Sequence, residues 1–149
     1  MANPMYGQNK ADGLVDGVSR LVKVPINSGV AVTATTHAAG DHGLAWKNPE
    51  NEDIIVEGVL LDVTTAATGS ATIDLGVAAD GTTGSDNLLD GADVGSAAIM
   101  ATSGVNGGTN GKMYQPMTST QWITGDFSAS AAGLVGNLYI RYFIPSKAS

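Results

Sequence analysis

The sequence predicts an all-β protein, an antiparallel β-sandwich of jelly-roll-like type carrying an extended N-terminal arm. Three observations lead there. Runs of Val, Ile and Leu alternate with small or polar residues at the two-residue period of a strand with one buried face. Clusters of Gly, Asn, Asp and Ser separate these runs, and Gly alone supplies 20 of the 149 residues. No segment carries the 3.6-residue period of an amphipathic helix. Some eight short strands joined by turns suit a sandwich, a jelly roll or a small barrel, and no fixed-period internal repeat points to a solenoid or propeller.

Residues 1–17 are polar, interrupted by Pro4, Gly7, Gly13 and Gly17, and read as an arm preceding a single sandwich domain over 18–149. Val18 to Pro25 is the first expected strand, with Pro25 stopping it or placing it on an edge. Val30 to Thr35 is the second. Residues 36–52 read as loop around a short strand or anchor at Leu44-Ala45-Trp46. Asp53 to Thr64 is apolar on both faces, the pattern of a strand buried on two sides. Ala71 to Val77 alternates cleanly and is expected to form a β-hairpin with it. Residues 80–95 form a long acidic loop in which Leu88 and Leu89 turn inward on a short helical turn. Short strands are expected near 97–102, 112–117 and 120–124, with turn chemistry over 103–111 and a loop over 125–132. Leu134 to Ile144 is the last strand. Leu134, Leu138, Ile140, Tyr142 and Ile144 share one face; Val135, Tyr139 and Phe143 lie on the other, available to a neighbouring subunit. The 53–64 and 134–144 strands should be central, with Val56, Leu60, Ile73, Leu75, Leu138 and Ile140 buried.

Charge narrows the function. Charged residues make up 14% of the chain, against a typical ~25%, and the net charge is −7 with a pI near 4.4. Lys10, Arg20, Lys23, Lys47, Lys112, Arg141 and Lys147 are scattered. Nucleic acid is therefore not an expected partner, since its affinity rests on clustered cations neutralising phosphates. An anionic membrane surface is disfavoured on the same ground. With no cysteine, disulfides, thiol catalysis and Cys-type metal sites are excluded. The first ten residues lack the apolar stretch of a signal peptide, and no run approaches the ~20 apolar residues of a membrane span. Synthesis in a cytoplasm is the expectation.

Candidate chemistry is sparse. His37 and His42, with Asp41 beside the second, are the only imidazoles, and they fall in a predicted loop that does not fix ring directions. Asp80, Asp86, Asp90 and Asp93 offer the oxygen ligands calcium prefers, but their spacing departs from the calcium-loop pattern, and Asp beside Gly is ordinary turn chemistry. Glu50, Glu52 and Glu57 are the only glutamates, and no aromatic platform for sugar accompanies them; Trp46 and Trp122 are expected to anchor core. Gly-x-Ser-x-Gly, the P-loop and the dinucleotide fingerprint are absent. The expectation is no enzyme, no catalytic residue, no metal and no cofactor.

Several stretches resemble small structural proteins encoded in tailed-phage head gene clusters. They are Asp53-Ile-Ile-Val-Glu-Gly-Val-Leu-Leu-Asp-Val-Thr-Thr-Ala-Ala-Thr-Gly-Ser-Ala-Thr-Ile-Asp-Leu-Gly-Val-Ala-Ala-Asp80, Asp86-Asn-Leu-Leu-Asp-Gly91, Gly108-Thr-Asn-Gly-Lys112, Trp122-Ile-Thr-Gly125 and Ala132-Gly-Leu-Val-Gly-Asn-Leu-Tyr-Ile-Arg-Tyr-Phe143. Together they span roughly residues 50–145. The resemblance implies a sandwich or jelly-roll capsid decoration (cement) protein, often trimeric, that clips onto the major capsid protein on the exterior of the virion. From the residues themselves, Pro4, Met5 and Tyr6, with Lys10 nearby, form the expected capsid-contact anchor in the arm. Other readings are a head-fibre or minor tail component, and a non-catalytic module for carbohydrate binding or surface adhesion, which would expose an aromatic platform or a calcium site. A small hydrolase would instead need a polar cluster in a concave pocket.

Overall fold

Alternating apolar residues place strands; the pairing of those strands decides which face each residue meets. The computed structural model describes residues 19–27, 44–102 and 108–145. Among them are nine strands: β1 (Arg20–Asn27), β2 (Leu44–Lys47), β3 (Ile54–Thr65), β4 (Thr72–Ala78), β5 (Leu89–Asp93), β6 (Ile99–Ala101), β7 (Gln115–Met117), β8 (Trp122–Phe127) and β9 (Val135–Phe143). The expected strand at 30–35 lies outside the described residues.

Two antiparallel sheets result. Sheet I runs β1-β9-β3-β6, with β7 beside the other end of β3; sheet II runs β2-β8-β4-β5. The 53–64 and 134–144 strands, β3 and β9, are central in sheet I as expected. Pro25 sits inside β1, an edge strand of that sheet, where a missing N–H costs no ladder bond.

The core lies between the sheets. Sheet I contributes Ile54, Val56, Val59, Leu61, Val63, Leu138, Ile140 and Tyr142; sheet II contributes Leu44, Ile73, Leu75, Ala92, Ile123 and Phe127. Trp46 packs against this core and meets Tyr142 of the opposite sheet, ring centroids 5.8 Å apart and tilted by 52°. At the same end the Tyr142 hydroxyl donates to Glu50 Oε1 at 2.8 Å, and Arg20 pairs with that same oxygen. The Glu50 hydrogen bond holds the Arg20 guanidinium above its ordinary pKa, while burial and then Glu50 raise the Tyr142 phenol. Buried Asn48 ties the adjoining loop by donating to the carbonyls of Glu52 (3.1 Å) and Thr118 (3.0 Å).

Four expectations need correction. Ile54–Thr65 and Thr72–Ala78 do not form a hairpin; the first belongs to sheet I and the second to sheet II, so residues 66–71 cross between layers. Leu88 and Leu89 are buried as expected, but Leu89 opens strand β5 rather than lying on a helical turn. Strand β8 continues to Phe127, into the stretch read as loop, because Asp126 and Phe127 pair with Asp74 and Ile73. Leu60 is not core: it is 36% exposed, while Val56, Ile73, Leu75, Leu138 and Ile140 are buried.

The Leu60 error has a definite cause. In the β3–β9 ladder Val56 faces Tyr142, Gly58 faces Arg141 and Val59 faces Ile140, leaving Glu57 as an extra residue. This β-bulge shifts the alternation by one. Core positions run Ile54, Val56, then Val59, Leu61, Val63, and Leu60 turns outward. Leu138→Ala should therefore cost about 2–5 kcal/mol in denaturant unfolding, as for other buried truncations. Leu60→Ala should cost about 1 kcal/mol or less. Equal costs would contradict the shifted phase.

Candidate functional site

The two outer faces of the sandwich differ in chemistry. Sheet II is largely covered by its own chain. Residues 79–88 fold over it, and Gly76 makes that possible, because a Cβ there would sit 2.4 Å from the Ser85 hydroxyl and 2.7 Å from its carbonyl carbon. The Thr124 hydroxyl, fully buried, donates to the Thr83 carbonyl at 2.7 Å. Asn87 accepts from Val77 N at 2.8 Å and so extends the sheet edge with a side chain. Trp122 is half-buried, its ring lying against Gly81 with the Lys47 ammonium 5.9 Å from the ring centroid.

The rest of that face is acidic. Asp74 and Asp126 stand directly opposite each other on β4 and β8, an arrangement that destabilises like charges. Asp126 Oδ1 is buried and, among the described residues, has no hydrogen-bond partner. Asp74 Oδ1 accepts from Gly91 N at 2.7 Å. Burial raises the Asp74 pKa above its ordinary value; the Gly91 amide opposes this, and the Asp90, Asp86 and Asp126 charges add to it.

The four aspartates singled out as calcium candidates each accept hydrogen bonds from the chain's own turns and loops. Asp80 accepts from the Thr82 amide (2.8 Å) and hydroxyl (2.9 Å), which lowers its pKa, in that order of effect. Asp86 accepts from Asn110 Nδ2 at 2.8 Å. Asp90 accepts from the amides of Thr109 (3.2 Å) and Asn110 (3.1 Å). Asp93 closes a turn through Gly95 N at 2.8 Å. Gly108, at φ 74°, packs so tightly on the Asp90 carbonyl that any Cβ would overlap it. These carboxylates organise turns, and among the described residues no three His, Asp or Glu side chains come together in a metal-holding group. His37, Asp41 and His42, and the arm residues Pro4, Met5, Tyr6 and Lys10, lie outside the described residues.

Sheet I presents the more open surface. A shallow groove of about 390 Å³ crosses its outer face, lined by Leu21 of β1, Tyr139 and Arg141 of β9, Glu57 and Leu60 of β3, and Met113 with Tyr114 before β7, among others. Leu21 is 62% exposed, Tyr114 59% and Met113 40%, and Ile99 of neighbouring β6 is 56% exposed. Clustered exposed apolar side chains of this kind mark interaction surfaces. The bulge positions them: the Glu57 carbonyl accepts from Tyr114 N at 3.1 Å, holding the 113–114 segment on the edge of β3. Tyr114 adopts φ 62°, where a bulky residue is strained. Val135, Tyr139 and Phe143 are half-buried on the outward side, so the face of β9 expected to serve subunit contact does point away from the core.

Sequence reasoning missed the groove, although a signal existed. Gly58 inside an apolar strand is a mark of a bulge, and a bulge there turns Leu60 from core to surface. Apolar residues on both faces of β3 then mean one face for the core and one for the groove, rather than burial by two layers of the same chain.

No protein-family model matches the chain, and no curated protein matches its sequence. Solved structures do match in shape. A chain in the capsid of Ralstonia phage GP4 superimposes with a TM-score of 0.58 at 17% identity, covering 87% of this chain and 86% of that one. The fold is one found in a phage capsid. Chains in the acidic stable capsid structure of Helicobacter pylori bacteriophage KHP30 and in the cyanophage Pam1 capsid asymmetric unit match at a TM-score of 0.47 and 17% identity each, with coverage of 86% and 85% of this chain.

Two outcomes follow from the acidic face. The folded pKa of Asp74 lies above the unfolded one, so its contribution to stability is full below the ordinary carboxylate value and is lost as pH rises through the raised value. Asp74→Asn keeps an oxygen for Gly91 N and removes the repulsion. At pH 7 it should stabilise by about 0.2–1 kcal/mol, the range of cross-strand pairs, and the two proteins should converge near pH 3 in denaturant titrations. Millimolar calcium or EDTA should leave the melting midpoint of the native chain unchanged; a midpoint that calcium raises would mean a cation bound by the folded state alone.

Proposed function

We propose that the protein is a non-enzymatic structural component of a tailed-phage virion that decorates and stabilises the outer surface of the capsid. The observation that carries this reading is the likeness, over nearly the full length of both chains, to a chain in the capsid of Ralstonia phage GP4. Strand order supports it. Sheets ordered β1-β9-β3-β6 and β2-β8-β4-β5 follow the two-sheet path of a jelly roll, an architecture of viral capsid and lectin domains. The same architecture serves unrelated functions, so the surface has to separate them. Trp46 faces the core and Trp122 is half-covered against Gly81, so neither tryptophan offers a free face for stacking a sugar.

A decoration protein acts by adding interface between neighbouring shell subunits. In our reading the chain forms a homotrimer, placed at local threefold positions of the shell, and each copy engages the major capsid protein through the arm, with Pro4, Met5, Tyr6 and Lys10 as its contact residues. Symmetry matching multiplies three weak contacts through effective concentration. An arm that orders on binding covers surface the folded body cannot reach. The protein would be made in the host cytoplasm and reside on the virion exterior.

The test is co-sedimentation with purified heads. The full chain should bind, and a chain lacking residues 1–12 should fold and form trimers yet lose head binding. Unchanged binding would remove the arm from the interface, and failure of the full chain to bind would overturn decoration itself. A monomer at micromolar concentration by light scattering would refute the trimer.

A further inference from the structure

The groove on sheet I lies beside the start of β1. Ser19, the first described residue, immediately precedes β1 and stands two positions before the exposed Leu21. Its hydroxyl donates to Glu57 Oε2 on β3, although β1 and β3 are separated in the sheet by β9. The Ser19 side chain therefore lies on the outer face, at the start of β1 and next to the groove that Glu57 and Leu21 line. The six residues upstream are Gly13-Leu14-Val15-Asp16-Gly17-Val18. They hold an adjacent apolar pair, a carboxylate and two glycines that permit a sharp change of direction.

Reach and charge both fit. Crossing from β1 to β3 takes two strand spacings, about 10 Å, whereas six residues can extend about 20 Å. Arg141, the cation of the groove, is exposed and forms no ion pair among the described residues. Asp16 stands three residues before Ser19 in the sequence. A groove of about 390 Å³ has room for two medium aliphatic side chains and is lined by the exposed apolar groups of Leu21, Leu60, Met113 and Tyr114. Tethering makes the contact intramolecular, so even a weak site would be filled.

We propose that residues 13–18 fold back across the outer face of sheet I, seating Leu14 and Val15 in the groove and Asp16 beside Arg141. This goes beyond the decoration reading and does not rest on it. It divides the arm into a root, residues 13–18, that seals the protein's own surface, and a tip, residues 1–12, left free for a partner. The strained Tyr114 then forms one wall of an intramolecular seat.

Methyl NMR of the full chain with labelled methionine tests it, because Met113 lines the groove while Met100 and Met117 are buried in the core. In the variant carrying both Leu14→Asp and Val15→Asp, the Met113 methyl should move to the position of a solvent-exposed methionine, with Met100 and Met117 unchanged as proof of folding. In a chain starting at Ser19, Met113 should show that exposed position, and a synthetic peptide of residues 10–18 should return it toward the full-chain value. An Arg141→Ala substitution should weaken that return several-fold. A Met113 signal indifferent to both the double substitution and the peptide would overturn the proposal. So would a signal in the shortened chain that moves with protein concentration alone, which would assign the groove to a second copy.

Discussion

One extra residue in the central strand governs both what this protein buries and what it shows. Strand β3 pairs with β9 along almost its whole length, and a perfect ladder would keep every second residue on one face. Glu57 interrupts the count. Were the same residues paired without a bulge, those facing the core after Val56 would be Gly58, Leu60 and Asp62, which would place a carboxylate against sheet II and turn Val59, Leu61 and Val63 to solvent. With it, those three fill the core, and Leu60 joins Leu21 and Tyr139 outside. The freed carbonyl of Glu57 is taken by Tyr114 N, and Val59 exchanges bonds with Thr102 through N–H to Oγ1 at 3.1 Å and C=O from Thr102 N at 3.1 Å. The edge of β3 between β6 and β7 is closed by these contacts rather than left as a template for another strand.

The same economy of small residues shapes sheet II. Alternation over 71–77 was legible because Ala71, Ile73, Leu75 and Val77 follow the two-residue period without interruption, and all four are buried. What could not be read was the long acidic stretch after it. Its composition is that of a solvated loop, but the segment closes on the sheet through particular pairings: Asn87 with Val77, Ser85 over Gly76, Asp90 with the amides of Thr109 and Asn110. None of these joins immediate neighbours in sequence, and local propensity holds no information on them. The misread hairpin has the same origin. Residues 66–71 contain ordinary turn chemistry, and nothing local distinguishes a turn within a sheet from a crossing between two sheets.

The candidate site was legible in its parts and not in its assembly. Outward placement of Tyr139 followed from the period of β9. Leu21 reads as an isolated leucine in the sequence until β9 and β3 bring Arg141 and Leu60 beside it. Met113 and Tyr114 were read as strand and belong instead to the short irregular segment that walls the groove. The result is a sandwich with two unlike exteriors. One side is covered by its own loop and lined with carboxylates, including the opposed Asp74 and Asp126; the other carries the exposed apolar side chains of Leu21, Leu60, Met113 and Tyr114 around a shallow groove.

The central claim is that this asymmetric sandwich stands on the outside of a phage head. Electron cryomicroscopy of heads that carry the protein tests it directly. The account predicts density outside the shell that fits two sheets with the β1-β9-β3-β6 and β2-β8-β4-β5 order, joined to the shell by a narrow connection from the start of the chain. Finding the sandwich only in the tail, inside the shell, or nowhere on the particle would contradict it.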